Sequence, residues 1–530
     1  MAAKNQDSDS MPIEWQKAYE RDRQGLVTYA DPLPERRLAR LLAAFIISGL
    51  AFLALPGTFL GVWNLIQISS QHSSSGASTP WIQAHGQAQL LGWVGSFIFG
   101  ISLYILPKVR RRPLVHVRLA WLVWAFWTVG VSWRWWAGVG EGHWQIGLLA
   151  SAVLEIVAFV LLQYLLLAAP RPKVAQTEKQ SLTDFNSQLA VAGFIALGLA
   201  LVLNCIAAVM AVRSSTVPMY PERLDRIFLF VCLWGFVVVV AWAYSTRFVT
   251  NFLSLEQPRH ELGLLLFVGL TIAIMCALLG WLAVADVLVL GLTFIAIWAL
   301  QVWRPSTKPP KRAGVYHGYP TFVRIGYAWL VVGAALGVLA DRLGSQTGWG
   351  GASRHAITVG FVATLIFAIG PRILPSFLNS RELYSPPLMG ISLWLVNFGC
   401  ALRVSSEATA YSVGSASAAW SLLPLSALLE LGAVLVFVAN MAGTLLQPVP
   451  AWFGPGGVTD RLPVYWYVSS YPKTRRILIE AGMKTLAHTK DVPRSLTLAE
   501  AAAADSIDVS AVVSALNAFF QGRQPHRIDR

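Results

Sequence analysis

Charge is what this chain has least of. Only 13% of its 530 residues are Asp, Glu, Lys or Arg, against roughly 25% in soluble domains. With 55% hydrophobic residues and a mean hydropathy of +0.55, the chain cannot cover itself with a solvated surface. That excludes a soluble enzyme and a disordered chain. Cysteine is equally scarce. The four residues Cys205, Cys232, Cys276 and Cys400 lie far apart inside apolar runs, with no C-x-x-C or C-x-x-C-H. A secreted disulfide scaffold, a thiolate metal site and a covalently attached c-type haem are therefore excluded. No nucleotide-binding glycine loop, G-x-S-x-G or H-E-x-x-H stands in a suitable context. Residues 1–40 are polar and mixed in charge, which is not the pattern of a cleaved signal.

What is present is apolar length. Twelve runs long enough to cross ~30 Å of hydrocarbon lie at 41–64, 85–107, 117–137, 145–169, 189–212, 227–250, 262–281, 283–303, 321–341, 355–375, 388–404 and 418–446, numbered here spans 1 to 12. The formal net charge of +14 would suggest nucleic acid in a soluble chain, but here it concentrates in alternate loops. Lys108, Arg110, Arg111, Arg112 and Arg118 follow span 2, and Arg304, Lys308, Lys311, Arg312 and Arg324 follow span 8. Segments 65–84, 138–144, 343–353 and 404–417 have no Lys or Arg, and only 213–226 runs against the trend. Both termini are expected in the cytoplasm, with no nucleic-acid partner. The expected division is a cytoplasmic segment 1–40, a membrane domain 41–446 and a cytoplasmic helical domain 447–530.

The spans repeat. Gly92–Pro107 aligns without a gap with Gly360–Pro375, sharing G-x-V, an Ile-x-Phe run and a terminal Ile-Leu-Pro. Gly130-x-x-x-Arg134 then matches Gly399-x-x-x-Arg403, and Ser151–Glu155 matches Ser426–Glu430. Spans 2–4 thus recur as spans 10–12, while Gly235-Phe-Val with Arg247 echoes Gly360-Phe-Val with Arg372. The expected fold is all-α: about twelve transmembrane helices as three four-helix repeats, resembling the plan of the haem–copper oxidase catalytic subunit.

Trp81-Ile-Gln-Ala-His85-Gly-Gln with Gly92-Trp-Val, Arg354-His355-Ala-Ile-Thr-Val-Gly360-Phe and Thr246-Arg247-Phe248 resemble the NnrS family over most of residues 40–446. The resemblance implies a bacterial inner-membrane protein that carries haem, with copper as a second metal of the family. It also implies a link to nitric oxide and nitrosative stress, denitrification-linked redox chemistry, and a redox or regulatory protein partner. The family's span-2 motif resembles His-Ala-His-Glu. Here Gln83-Ala84-His85-Gly86 stands in its place, which removes two donors from any metal held there.

Among nine histidines only His85 and His355 open apolar spans, both at the outer ends of repeat-related helices. Two imidazoles of that kind suit axial ligation of a b-type haem. The repeat sets His355 opposite Gln87, so the pair is offset by two residues. Arg134, Arg403 and Arg354 are candidates for the haem propionates, because a guanidinium stays charged and grips carboxylates bidentately. Glu155 and Glu430, matched inside spans 4 and 12, are proton-relay candidates, with a fold-level hydrogen bond as the other reading. Asp286 is shallower. Spans 6 and 7 have no three-histidine set, so an oxygen- or nitric-oxide-reducing binuclear centre of the oxidase design is not expected. No catalytic residue is assigned. Repeats and buried carboxylates also mark transporters, which leaves a haem-free membrane transporter as the alternative.

In the tail, Tyr471–Met483 reads as a helix ended by glycine, Thr497-Leu-Ala-Glu500 as a capping box, and Val509–Phe520 as a further helix. The tail resembles a small helical domain that normally carries cysteines after its Gly-Met. Lys484-Thr-Leu-Ala-His488 stands there instead, so regulation or docking is expected. Lys473, Arg475 and Arg476 are candidates to touch anionic membrane lipid.

Overall fold

The computed structural model describes residues 11–23, 32–109, 116–140, 142–167, 185–343, 348–378, 382–447, 458–489, 491–493 and 495–521. The arginine run 110–112 and loop residues 344–347 lie outside them. The described residues form helices and turns, with one isolated bridge between Pro463 and Thr497. Helix is the expected outcome, because a backbone in hydrocarbon must satisfy its own hydrogen bonds within each segment.

Eleven of the helices are both long and apolar enough to cross a membrane. They cover every expected span except span 3. That span forms a helix too, Val117–Val139, but six tryptophans, Arg118 and Arg134 dilute its hydropathy. Spans 7 and 8 separate as His260–Leu278 and Leu282–Leu300. Span 11 outruns its hydropathy signal, continuing from Pro386 to Val413. The charges that end the apolar run, Arg403 and Glu407, pair at i,i+4 within the helix, so the helix need not stop there.

Burial ranks the spans. In spans 2, 6 and 10 (Thr79–Leu106, Glu222–Leu253, Trp349–Phe377) 78–89% of the apolar window is buried, against 28–56% in the other eight. These three inner helices share a second feature. Each widens into an eight-residue π-helical segment, at Ala88–Gly95, Val231–Val238 and Ala356–Ala363. Gly92, Gly235 and Gly360 take the fifth place in each, followed by an aromatic and a valine. The middle repeat, faint in sequence, is therefore plain in the backbone. Such widened turns are rare and concentrate at functional sites. A fourth π-helical segment, Leu53–Phe59 with Pro56 inside it, lies in span 1.

The chain divides into two compact units, one of residues 41–377 and 382–446, the other from 1–40, 378–381 and 447–530. The N-terminal helix Ile13–Arg23 sends Trp15 and Ala18 into the same core as Val464, Tyr467, Leu478, Leu498 and Leu516. Arg21 grips Glu500 through two nitrogens at 2.8 Å each, and Ser495 Oγ donates to the Ala18 carbonyl. The capping box forms as expected, with Thr497 N donating to Glu500 Oε2 at 2.9 Å and Glu500 N donating to Thr497 Oγ1 at 3.2 Å. Gly482, at φ +106°, ends the helix Pro472–Glu480. Helices Val464–Ser470 and Lys484–His488 are additional. Arg475 turns inward to the carbonyls of Leu486 and Thr489 and is not a lipid contact. The tryptophan-rich Val117–Val139 helix, of 23 residues, is long enough to be a twelfth span.

Candidate functional site

His85 and His355 stand near the heads of two inner helices, three residues and one residue ahead of their π-helical segments. The His85 ring packs against Gly61 of span 1, where an added Cβ would stand 2.6 Å from Cε1. Its Nδ1 is 2.9 Å from the Gly57 carbonyl. His355 Nδ1 is 3.1 Å from the carbonyl of Gly351 and 3.8 Å from Glu407 Oε2. A carbonyl only accepts, so both Nδ1 atoms carry the proton and both Nε2 atoms keep a lone pair. The two imidazoles and Arg403 lie within electrostatic range of one another.

The residue one place before each π-helical segment differs by repeat: Gln87, Phe230 and His355. Gln87 holds a carboxylate, its Nε2 lying 3.1 and 3.3 Å from the two Glu155 oxygens. Asn204 of span 5 donates to Glu155 Oε2 at 2.9 Å and accepts from Tyr220 OH at 2.7 Å. Arg134 Nε donates to the same hydroxyl at 3.2 Å, with its guanidinium 4.5 Å from the Tyr220 ring centre. Gln83 fixes the loop by accepting from Tyr220 N. This continuous chain, Gln87–Glu155–Asn204–Tyr220–Arg134, is what sequence reasoning missed, apart from Glu155 and Arg134. The signal was an asparagine in the middle of apolar span 5.

Repeat symmetry holds at the carboxylates. Glu155 Cγ lies over Gly130 and Glu430 Cγ over Gly399, 3.1 and 2.9 Å from where a Cβ would be. It fails at the arginines. Arg134 is 1% exposed, and its Nη1 and Nη2 make no hydrogen bond. Arg403 has Glu407 at 3.2 Å, though its Nε makes no hydrogen bond. Arg354 lies within electrostatic range of Glu407, Asp225 and Arg403. Asp286 neighbours Asp341, which Arg226 approaches to 3.7 Å. Arg372 donates to the Ala313 carbonyl at 2.8 Å. Among the described residues no three His, Cys, Asp or Glu side chains gather as a metal-binding group.

Twelve helices in three four-helix repeats, with the most buried three at the centre, define the haem–copper oxidase class of membrane fold. The comparisons agree. A haem–copper terminal oxidase, solved as a dimer by cryo-EM, superposes with a TM-score of 0.60 over 91% of this chain and 99% of its own, at 11% identity. It is among 22 solved chains that match. No curated protein matches. The family model described as NnrS protein matches residues 42–448, and the chain belongs to the NnrS family.

Proposed function

We propose that the protein is a haem-binding protein of the bacterial inner membrane, with both termini cytoplasmic, that acts in nitric oxide tolerance. The observation that carries this reading is the matched state of two imidazoles. His85 and His355 each give Nδ1–H to a glycine carbonyl and keep Nε2 free, at the heads of two inner helices. That orientation by an outer hydrogen bond is what an axial ligand needs. The donor set also suits the group's carboxylates: Arg134 and Arg403 each keep two buried nitrogens without a hydrogen bond, the Arg403 Nη1 being ion-paired to Glu407, and Arg354 is a third cation. Bound haem would supply one-electron redox chemistry. The chain's own contribution is to orient both imidazoles, to match the propionates' charge, and to carry a hydrogen-bonded path from Arg134 to Glu155. Copper has fewer supports, since Gln83 and Gly86 offer no metal-binding side chain like the family's His and Glu.

The visible spectrum of the purified protein tests the proposal. A Soret band with six-coordinate character is expected. His85→Ala and His355→Ala should each convert it to five-coordinate or abolish it, while His116→Ala and His317→Ala leave it alone. A colourless protein from haem-sufficient cells, or unchanged spectra in both ligand variants, overturns it.

A further inference from the structure

The inner helices enclose a second feature, away from the histidines. Spans 2, 6 and 10 surround a cavity of about 100 Å³, walled by Val94, Phe97, Val240, Leu365, Ile366 and Gly370 among others. Gly370 opens onto it: a Cβ there would meet only Ile366 and Leu374 of its own helix, each at 3.8 Å. The cavity residues of span 10 begin seven places after His355, and those of span 2 nine places after His85. At about 1.5 Å per residue the void starts ~10 Å below the histidine level.

Its chemistry selects the occupant. Tyr244 and Ser245 bring the cavity's only side-chain hydroxyls, and both are engaged. Tyr244 OH lies 2.6 Å from Ser102 Oγ, and Tyr327 OH donates to Ser245 Oγ at 2.7 Å. A buried water needs roughly two to four polar partners, so the space stays dry. The volume exceeds the ~30 Å³ share of a water and falls short of the ~150 Å³ void that admits benzene. A charged solute is thus excluded by the lack of hydrogen-bonding groups.

We propose that this cavity is a binding site for an uncharged diatomic gas, held between the three inner helices on the cytoplasmic side of the histidine level. That the natural guest is nitric oxide rests on the function proposed above, while the site itself does not.

Xenon tests it on the full-length protein. Xenon-pressurised samples should show one saturable site, located by density between Val240 and Ile366. Gly370→Leu and Val240→Phe, which fill the void from spans 10 and 6, should each lose that site. Gly291→Leu, on an exposed helix face with nothing within 4 Å, should retain it. No xenon between these helices in the wild-type protein overturns the proposal, as does an acyl chain or ordered water filling the space. Retention of xenon in a folded filled variant overturns it too. If one filled variant fails to fold, the wild-type density and the other variant decide. A visible spectrum taken on the same samples separates the readings, since a colourless protein that binds xenon refutes the haem and leaves the cavity standing.

Discussion

If the protein holds haem as proposed, replacing Arg134 by glutamine should lower its midpoint potential, and so should the same change at Arg403. A buried positive charge favours the ferrous state, because reduction adds an electron nearby. At about 10 Å and an effective dielectric of about 20, one unit charge contributes about 1.7 kcal/mol. In a one-electron couple a tenfold change, about 1.4 kcal/mol, corresponds to about 59 mV, so Arg134→Gln should lower the midpoint by about 70 mV. Both arginines face carboxylates, Arg403 the Glu407 group 3.2 Å away and Arg134 the Glu155 and Asp225 groups within electrostatic range, so this bare-charge figure is the upper bound for each. Glu407→Gln, which unmasks Arg403, should raise the potential. The assay is a spectroelectrochemical titration of the purified full-length protein, with haem content measured beside it. Haem-loaded Arg134→Gln and Arg403→Gln variants whose midpoints both stay put would refute the reasoning.

Trp15 is 1% exposed in the core of the terminal module, so Trp15→Ala should cost about 3–5 kcal/mol there. Limited proteolysis of the full-length protein should then cut the tail much faster, and unchanged resistance would count against the packing. Burial opposes ionisation of Glu500, but Arg21 and the Thr497 backbone outweigh it and hold the carboxyl below its usual value. The pair's contribution, about 1 kcal/mol or less at this exposure, is therefore present above the ordinary glutamate range and fades as the pH falls through the depressed value. Wild type and Glu500→Gln should differ in the tail's protease resistance at neutral pH and converge in acid; a difference that grows in acid would reverse the assigned sign. Reporters fused after residue 112, 312 or 530 should be cytoplasmic and one within 72–78 external, and a cytoplasmic signal at 72–78 would invert the topology.

Hydropathy made most spans legible, because the bilayer's demand for about 20 apolar residues leaves a strong mark. It failed where charge is cancelled internally: Glu407 looked like loop, although its place four residues after Arg403 was the cue for a continuing helix. The alignment of Gly92 with Gly360, and its echo at Gly235, were visible. The widened turns around them were not, since a local change of pitch adds no residue pattern. In the N-terminal segment, Trp15, Ala18 and Tyr19 formed a helical apolar stripe, but nothing in that stripe named the distant surface it covers. The two candidate histidines were legible as the ones that open apolar spans. The glycine carbonyls that orient both rings belong to the backbone, and only coordinates bring them to the imidazoles.

The joining of the chain's two ends bears on how the protein is made. Roughly 435 residues separate Arg23 from Val458, and at about 5–20 residues per second the first helix waits on the order of a minute for its partner. Until then the Trp15 face has no cover. Closure of this clasp is therefore tied to the end of synthesis: only a chain made through to its last helices can cover the apolar stripe.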